Sequence, residues 1–276
     1  MNPNDLETLR ISRAGPIGAP GEHMSTRHAL QRVTVFFFCV AAPAVPASAQ
    51  SMPSFYIRAD AGWSKTTNAN LQDVNFAVDH VITGTGGSKG TLSDYGGAWL
   101  LGGGAGMQFT PRFRGDIVYT YRGTYRLDQF DLGPLPANFR GNISSNSVML
   151  TGYADFPIHD SGVAPFIGLG VGWSSNRLDS LSWKPTSSAN ITPATRTVPG
   201  GTADSIAWQL AVGVSFLLTE ALTVDFSYRY FDGGDVKTMA GNIVADGAVI
   251  GAYSGARGSL TADEIIVSLR FRFGSL

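Results

Sequence analysis

The closing stretch of the chain, Ala262 to Phe273 (ADEIIVSLRFRF), alternates with period two. Ile265, Val267, Leu269, Phe271 and Phe273 share one face, and Glu264, Ile266, Ser268, Arg270 and Arg272 share the other. A soluble sheet can carry this pattern with its charged face in water. A membrane barrel inverts it, turning the apolar face to lipid and the charged face into the lumen. One strand leaves both options open. Repetition of the pattern, the spacing of the connections and the delivery of the chain decide between them.

Seven earlier segments repeat it, at about 54–64, 97–109, 112–122, 146–156, 164–174, 205–217 and 221–231, before the last at 261–273. Ile57, Ala59, Ala61 and Trp63 illustrate the apolar parity in the first segment, and Val224, Phe226, Tyr228 and Tyr230 in the seventh. About ten residues is the length a tilted strand needs to cross a bilayer. The charges fall on the opposite parity: Arg58, Asp60, Arg114, Asp116, Arg122, Asp155, Asp225, Arg229, Glu264, Arg270 and Arg272. Small residues such as Gly102, Gly104, Gly106, Gly168, Gly170, Ala207 and Ala211 fill other inward positions. Losing hydration costs several kcal/mol per ion, so these charges are expected to form an interior ion-pair network, with glycines making room for the arginines. Asp60 or Glu264 is expected to meet an arginine across the seam between the first and last strands. An eight-stranded lumen is only wide enough for side chains to fill it, so the expectation is a plugged cylinder rather than a pipe.

The connections alternate. Thr110-Pro111, residues 157–163 and Leu218-Thr219-Glu220 are short, whereas 65–96, 123–145, 175–204 and 232–260 are long and polar and read as loops. Structureless loops of that length are uncommon in compact soluble domains, while short periplasmic turns opposite long surface loops suit a membrane barrel. Aromatics sort by end as well. Phe55, Phe109, Phe113, Phe156, Phe166, Phe216 and Phe273 lie at the short-turn end, and Trp63, Trp99, Tyr121, Trp173, Trp208, Tyr228 and Tyr230 at the long-loop end. Two belts at fixed heights match interfacial girdles.

Residues 24–49 read as a secretory signal. Arg27, His28 and Arg32 form its basic start, Val33 to Ala42 its apolar core and Ala47-Ser48-Ala49 its cleavage site. Residues 1–23 read as a disordered extension, or as sequence upstream of a true start at Met24, which leaves residues 50–276 as the barrel. The one cysteine, Cys39, lies inside the signal, so the mature chain is expected to hold no disulfide or thiolate site. The chain has 20 Lys+Arg and 21 Asp+Glu; residues 1–49 contain four and three of these, leaving 16 and 18 and a net charge of −2. That balance gives no electrostatic footprint for nucleic acid. Charged residues make up 15%, against roughly 25% in a typical soluble domain.

Residues 165–173 (PFIGLGVGW), 227–232 (SYRYFD) and the terminal Ile265 to Phe273 resemble the eight-stranded outer-membrane barrels of the OmpA and opacity-protein type, especially the small surface-antigen barrels of alphaproteobacteria. The resemblance covers the chain from about Ser54. It departs at the end, where Gly274-Ser275-Leu276 follow the aromatic that such chains usually finish on. It implies an all-β, eight-stranded antiparallel up-and-down transmembrane β-barrel in the bacterial outer membrane. The implied protein is non-enzymatic, contributes to envelope integrity and displays four long surface loops. Implied partners are outer-membrane lipid and lipopolysaccharide, the barrel-assembly machinery and an extracellular ligand at the loops. A small porin, a surface adhesin and a soluble periplasmic barrel are the competing readings.

A lipid-modifying barrel would need a base and a nucleophile together near the outer rim. The histidines of the mature chain, His80 and His159, are expected on opposite sides of the membrane. Gly102 to Gly106 and the Gly168-x-Gly170-x-Gly172 repeat precede no helix, so they are read as inward glycines rather than phosphate loops. Asp232-Gly233-Gly234-Asp235 lacks the ligand spacing of a calcium loop and is read as the start of a loop. No cofactor, metal or catalytic residue is expected. Membrane fractionation with N-terminal sequencing is expected to find a mature chain starting at Gln50 in the outer membrane; a soluble periplasmic product would refute the barrel.

Overall fold

The computed structural model describes residues 53–68, 71–75, 95–131, 137–159, 161–185 and 194–275. The proposed signal, Cys39, His80 and the second long connection's tip at 132–136 lie outside them. The strands are β1 (Ser54–Asn68), β2 (Gln72–Asp73), β3 (Gly97–Thr110), β4 (Phe113–Asp131), β5 (Ala137–Asp155), β6 (Val163–Leu178), β7 (Leu181–Pro185), β8 (Arg196–Val198), β9 (Gly201–Leu217), β10 (Leu222–Lys237), β11 (Gly241–Ala245), β12 (Ala248–Tyr253) and β13 (Ala256–Ser275). Eight long strands pair antiparallel in chain order, β1-β3-β4-β5-β6-β9-β10-β13. β13 then returns to β1, from Phe55 opposite Phe273 to Asn68 opposite Thr261. The ring is closed, so its strands satisfy one another's backbone groups all the way round.

Burial follows parity. Glu264 is 0% exposed and the next residue, Ile265, is 70% exposed. Ile57, Leu101, Ile117, Leu150, Leu169, Leu210, Phe226 and Leu269 carry the same exposed apolar band around the wall. Water does not tolerate so large a continuous apolar surface on a monomer, whereas the hydrocarbon of a bilayer does. Trp99 and Tyr121 touch at 5.3 Å in the outer belt, as do Trp208 and Tyr230. Phe166 leaves the inner belt: it is 4% exposed and packs edge-on against Tyr153 inside the lumen. Its even number already placed it opposite Ile167 and Leu169, so strand parity overrides its position at the strand end.

The short turns share one chemical device. Thr110 Oγ1 accepts the backbone N–H of Arg112 and Phe113 at 3.2 and 3.0 Å. Thr219 Oγ1 accepts those of Ala221 and Leu222 at 3.3 and 3.0 Å, and Ser161 Oγ accepts Val163 at 3.1 Å. Each hydroxyl replaces a ladder partner that the turning backbone has lost.

The described parts of three long connections, 123–145, 175–204 and 232–260, are largely strand rather than the loops that their composition suggests. β4 and β5 continue for eight pairs beyond Tyr121 of the outer belt, to Asp131 opposite Ala137. From β5 a sheet runs on through β7, β8, β11 and β12. Two bulges hid this from period-two reading. The register slips between Arg122 and Tyr125 on β4 and between Asp232 and Asp235 on β10. Each extra residue reverses which parity faces inward. Tyr125 and Leu127 thus turn inside, where Arg122 had set even numbers as inward. Asp232-Gly233-Gly234-Asp235 is therefore a bulge within β10 rather than the start of a loop: Gly234 has φ 71°, and its N–H reaches Asp232 Oδ1 at 3.0 Å. A two-residue turn with positive φ at Asp246 and Gly247 closes the β11–β12 hairpin.

These extensions enclose a second core. Leu71, Tyr95, Tyr125, Leu127, Phe139, Ile143, Leu178, Leu181, Trp183, Val198, Val236, Tyr253 and Leu260 form a buried apolar cluster above the charged lumen. Phe139 and Trp183 stack there at 6.1 Å.

Glycines inside the barrel make room for aromatic rings and an amide more than for the arginines. A Cβ on Gly106 would lie 2.4 Å from the Tyr56 ring, one on Gly168 2.6 Å from the Tyr153 ring, and one on Gly170 2.9 Å from Gln209. Gly168→Ala is expected to push the Tyr153 ring off its site and to destabilise the barrel by about 1–3 kcal/mol. A lowered thermal midpoint, read as loss of the folded band on a heat-modifiability gel, checks this.

Candidate functional site

The membrane-spanning lumen is filled by five arginines and five carboxylates. Arg58 of β1 holds Asp60 at 2.9 Å and Asp116 of β4 at 2.7 Å. Arg114 reaches Asp155 at 3.0 Å, and Arg270 reaches Asp225 at 2.7 Å. Arg122 and Arg229 share Glu264, at 2.6 and 2.5 Å. All ten are buried, and their formal charges cancel. A buried charge without a partner costs several kcal/mol, so the balance is a condition of the fold.

The pairs lock the wall in two ways. Arg114–Asp155, Arg270–Asp225 and Arg229–Glu264 tie neighbouring strands. Arg58–Asp116 skips over β3, and Arg122–Glu264 reaches from β4 across the lumen to β13. Hydroxyls and rings complete the set. Arg58 Nη1 donates to Tyr153 Oη at 2.8 Å and Nη2 to Ser268 at 2.9 Å. Tyr56 donates to Asp116 at 3.1 Å, Ser64 to Glu264 at 2.9 Å and Arg122 Nη1 to Ser147 at 2.8 Å. The Arg114 guanidinium lies 3.8 Å from the Tyr153 ring centroid and 4.8 Å from that of Phe166, and Arg122 lies 3.5 Å over Phe231. Such cation–π contacts gain strength where water is excluded.

Ten of the eleven residues chosen on parity come together in this network. Arg272 does not: it is exposed and lines the short-turn mouth. The seam also differs from expectation. Arg58 sits opposite Arg270 and Asp60 opposite Ser268, so no carboxylate–arginine pair of the network crosses β1–β13. Register decides this, and Asp60 bonds within its own strand while Glu264 turns to β4 and β10. Parity alone could have found Tyr56, Tyr153, Gln209 and Thr151 as lumen residues, but uncharged side chains stand out less. Gln209 donates to Thr151 at 2.8 Å.

At the short-turn end the network closes a vestibule of about 850 Å³, lined by Asp155, Ser215, Glu220, Thr223, Arg270 and Arg272 among others. His159 lies in the turn after β5 at that end. At the other end the apolar cluster covers the lumen.

A closed ring of eight antiparallel strands, apolar outside and ionic inside, defines a transmembrane β-barrel. The chain belongs to the outer membrane protein beta-barrel domain family, whose model matches residues 34–273, and it is a protein of the bacterial outer membrane. Outer membrane protein PagN of Salmonella typhimurium is 25% identical over 213 residues, covering 72% of this chain and 83% of that protein. Among solved structures, Neisserial surface protein A is 17% identical, with a TM-score of 0.40, covering 79% of this chain and 97% of that one. OprG from Pseudomonas aeruginosa is 12% identical, with a TM-score of 0.48, covering 83% and 100%.

Glu264→Ala would leave two buried guanidiniums facing each other. It is expected to destabilise the barrel by about 3–5 kcal/mol, less whatever water gains access. Urea unfolding in detergent micelles, followed by tryptophan fluorescence, checks it.

Proposed function

We propose that this is a non-enzymatic outer-membrane protein, a sealed barrel that braces the envelope and holds a rigid β-structured head above it for recognition at the cell surface. The observation that carries this reading is the filling of the lumen: ion pairs across the bilayer and an apolar cluster on top. An ion entering such a lumen would have to break pairs at low dielectric, which favours a strut over a small porin. Outer-membrane lipid and lipopolysaccharide surround the band, and the barrel-assembly machinery inserts it through the β13 strand.

Purified monomer in planar bilayers is expected to give no steady conductance. Large, stable, voltage-independent channels would overturn the sealed barrel and establish the porin reading.

An adhesin is the second reading, and the β11–β12 hairpin favours it. Val249 and Ile250 are exposed near its tip, on a strand whose residues carry no charge. Deleting 244–251, which spares Ile243 and the buried Tyr253, is expected to leave the folded band in place and to lower binding of whole bacteria to host cells. Unchanged binding by cells that display the shortened protein would refute this role for the hairpin.

A further inference from the structure

A second site lies on the outer wall, away from the lumen. β6 ends at Arg177-Leu178, Asp179 and Ser180 turn away, and β9 begins at Gly201-Thr202. With Asn142 of β5 and Met239 after β10, these residues line a crevice of about 540 Å³. Arg177 and Thr202 are cross-strand partners on outward parity, opposite to the buried Asn176, Leu178 and Ala203.

The crevice is built on fixed backbone. Asp179 N–H donates to Asn142 C=O at 2.9 Å, and Met239 N–H to Gly200 C=O at 3.1 Å. Gly200 permits the close approach, since a Cβ there would lie 2.3 Å from the Leu178 carbonyl oxygen. The side chains, by contrast, are available. Arg177 and Asp179 stand 3.5 Å apart with 72% and 52% of their side chains exposed, so they hold each other weakly.

We propose that this crevice binds the anionic saccharide headgroup of an outer-leaflet glycolipid. The chemistry fits: a guanidinium donates in a planar fork to phosphate or carboxylate, a carboxylate accepts from sugar hydroxyls, and an amide and a hydroxyl both donate to and accept from them. The exposed Met239 side chain offers an apolar surface for a ring face. Height selects the source. Arg177 is four residues beyond Trp173 of the outer belt. At about 3.3 Å per residue and a tilt of about 45°, that is roughly 9 Å above the belt. A lateral crevice at that height faces the headgroup layer of its own membrane rather than the medium. The site stands whether or not the surface head has another partner.

The test uses the full-length mature protein in detergent micelles, titrated with rough-type lipopolysaccharide and followed by native mass spectrometry. Arg177→Ala combined with Asn142→Ala is expected to weaken binding about tenfold while the folded band persists. Arg140→Ala, at an exposed pair with Asp128 outside the crevice, is expected to leave binding unchanged. If the double variant does not fold, Thr202→Trp fills the crevice from an exposed position and should give the same loss. Acyl-free core oligosaccharide is expected to bind wild type with the same sensitivity to the variants, and equimolar inorganic phosphate not to compete. Unchanged affinity in the crevice variants would overturn the proposal, as would an equal loss in Arg140→Ala. Displacement by phosphate alone would replace the glycolipid with a simple anion and overturn it too.

Discussion

Backbone hydrogen bonding in hydrocarbon is the constraint on which the rest of this structure depends. No solvent group inside a bilayer can satisfy an open strand edge, so the sheet must close on itself. Closure follows from the pairing of β1 with β13 along fourteen residues of β1. It forces each strand to divide its side chains between lipid and a lumen too narrow for water to fill freely. Every other feature answers that division.

The charged interior is one answer. Lipid claims the apolar side chains, which leaves the inward parity to polar ones, and these must satisfy one another. Five arginines and five carboxylates do so with cancelling charge, helped by Tyr56, Tyr153, Ser64, Ser147 and Ser268. Above the membrane the solvent outside is water again, and the inside becomes apolar, with Leu127, Ile143 and Leu260 among its members. The inversion happens along single strands. On β4 it falls at the bulge after Arg122, where the parity of inward residues also changes. On β13 the same change comes with no shift of parity, from Glu264 to Ala262 and Leu260, so solvent rather than the bulge sets it. The ionic and oily cores together close the barrel.

The outer surface follows the same logic. Where the wall passes through the headgroup layer, aromatic rings gain polar partners: Trp208 Nε1 donates to Asp232 at 3.2 Å, and Tyr228 Oη to Asp263 at 2.5 Å. Just beyond, the β6–β9 ladder ends at Leu178 opposite Gly201, and the crevice around Arg177 lies at that end. The wall is apolar along the band, amphipathic at the interface and rich in hydrogen-bonding groups above it.

The sequence by itself determined the eight spanning strands, their order, the lipid-facing residues and ten of the buried charges, because a strict period of two reports a local preference for two unlike environments. It also separated the short turns from the long connections. Only the tertiary structure decided which charges pair, since Arg58 meets Asp116 and Arg122 meets Glu264 through the lumen, at separations that register and ring closure set. It decided that Arg272 lies at the rim and that Phe166 turns inward. It turned much of the long connections into sheet, because the bulges at Arg122–Tyr125 and Asp232–Asp235 break the period on which sequence reading relies. The apolar cluster draws on strands far apart in the chain, from Leu71 to Leu260. No local pattern encodes such a cluster; it exists only once the ring has closed and brought those strands to one end.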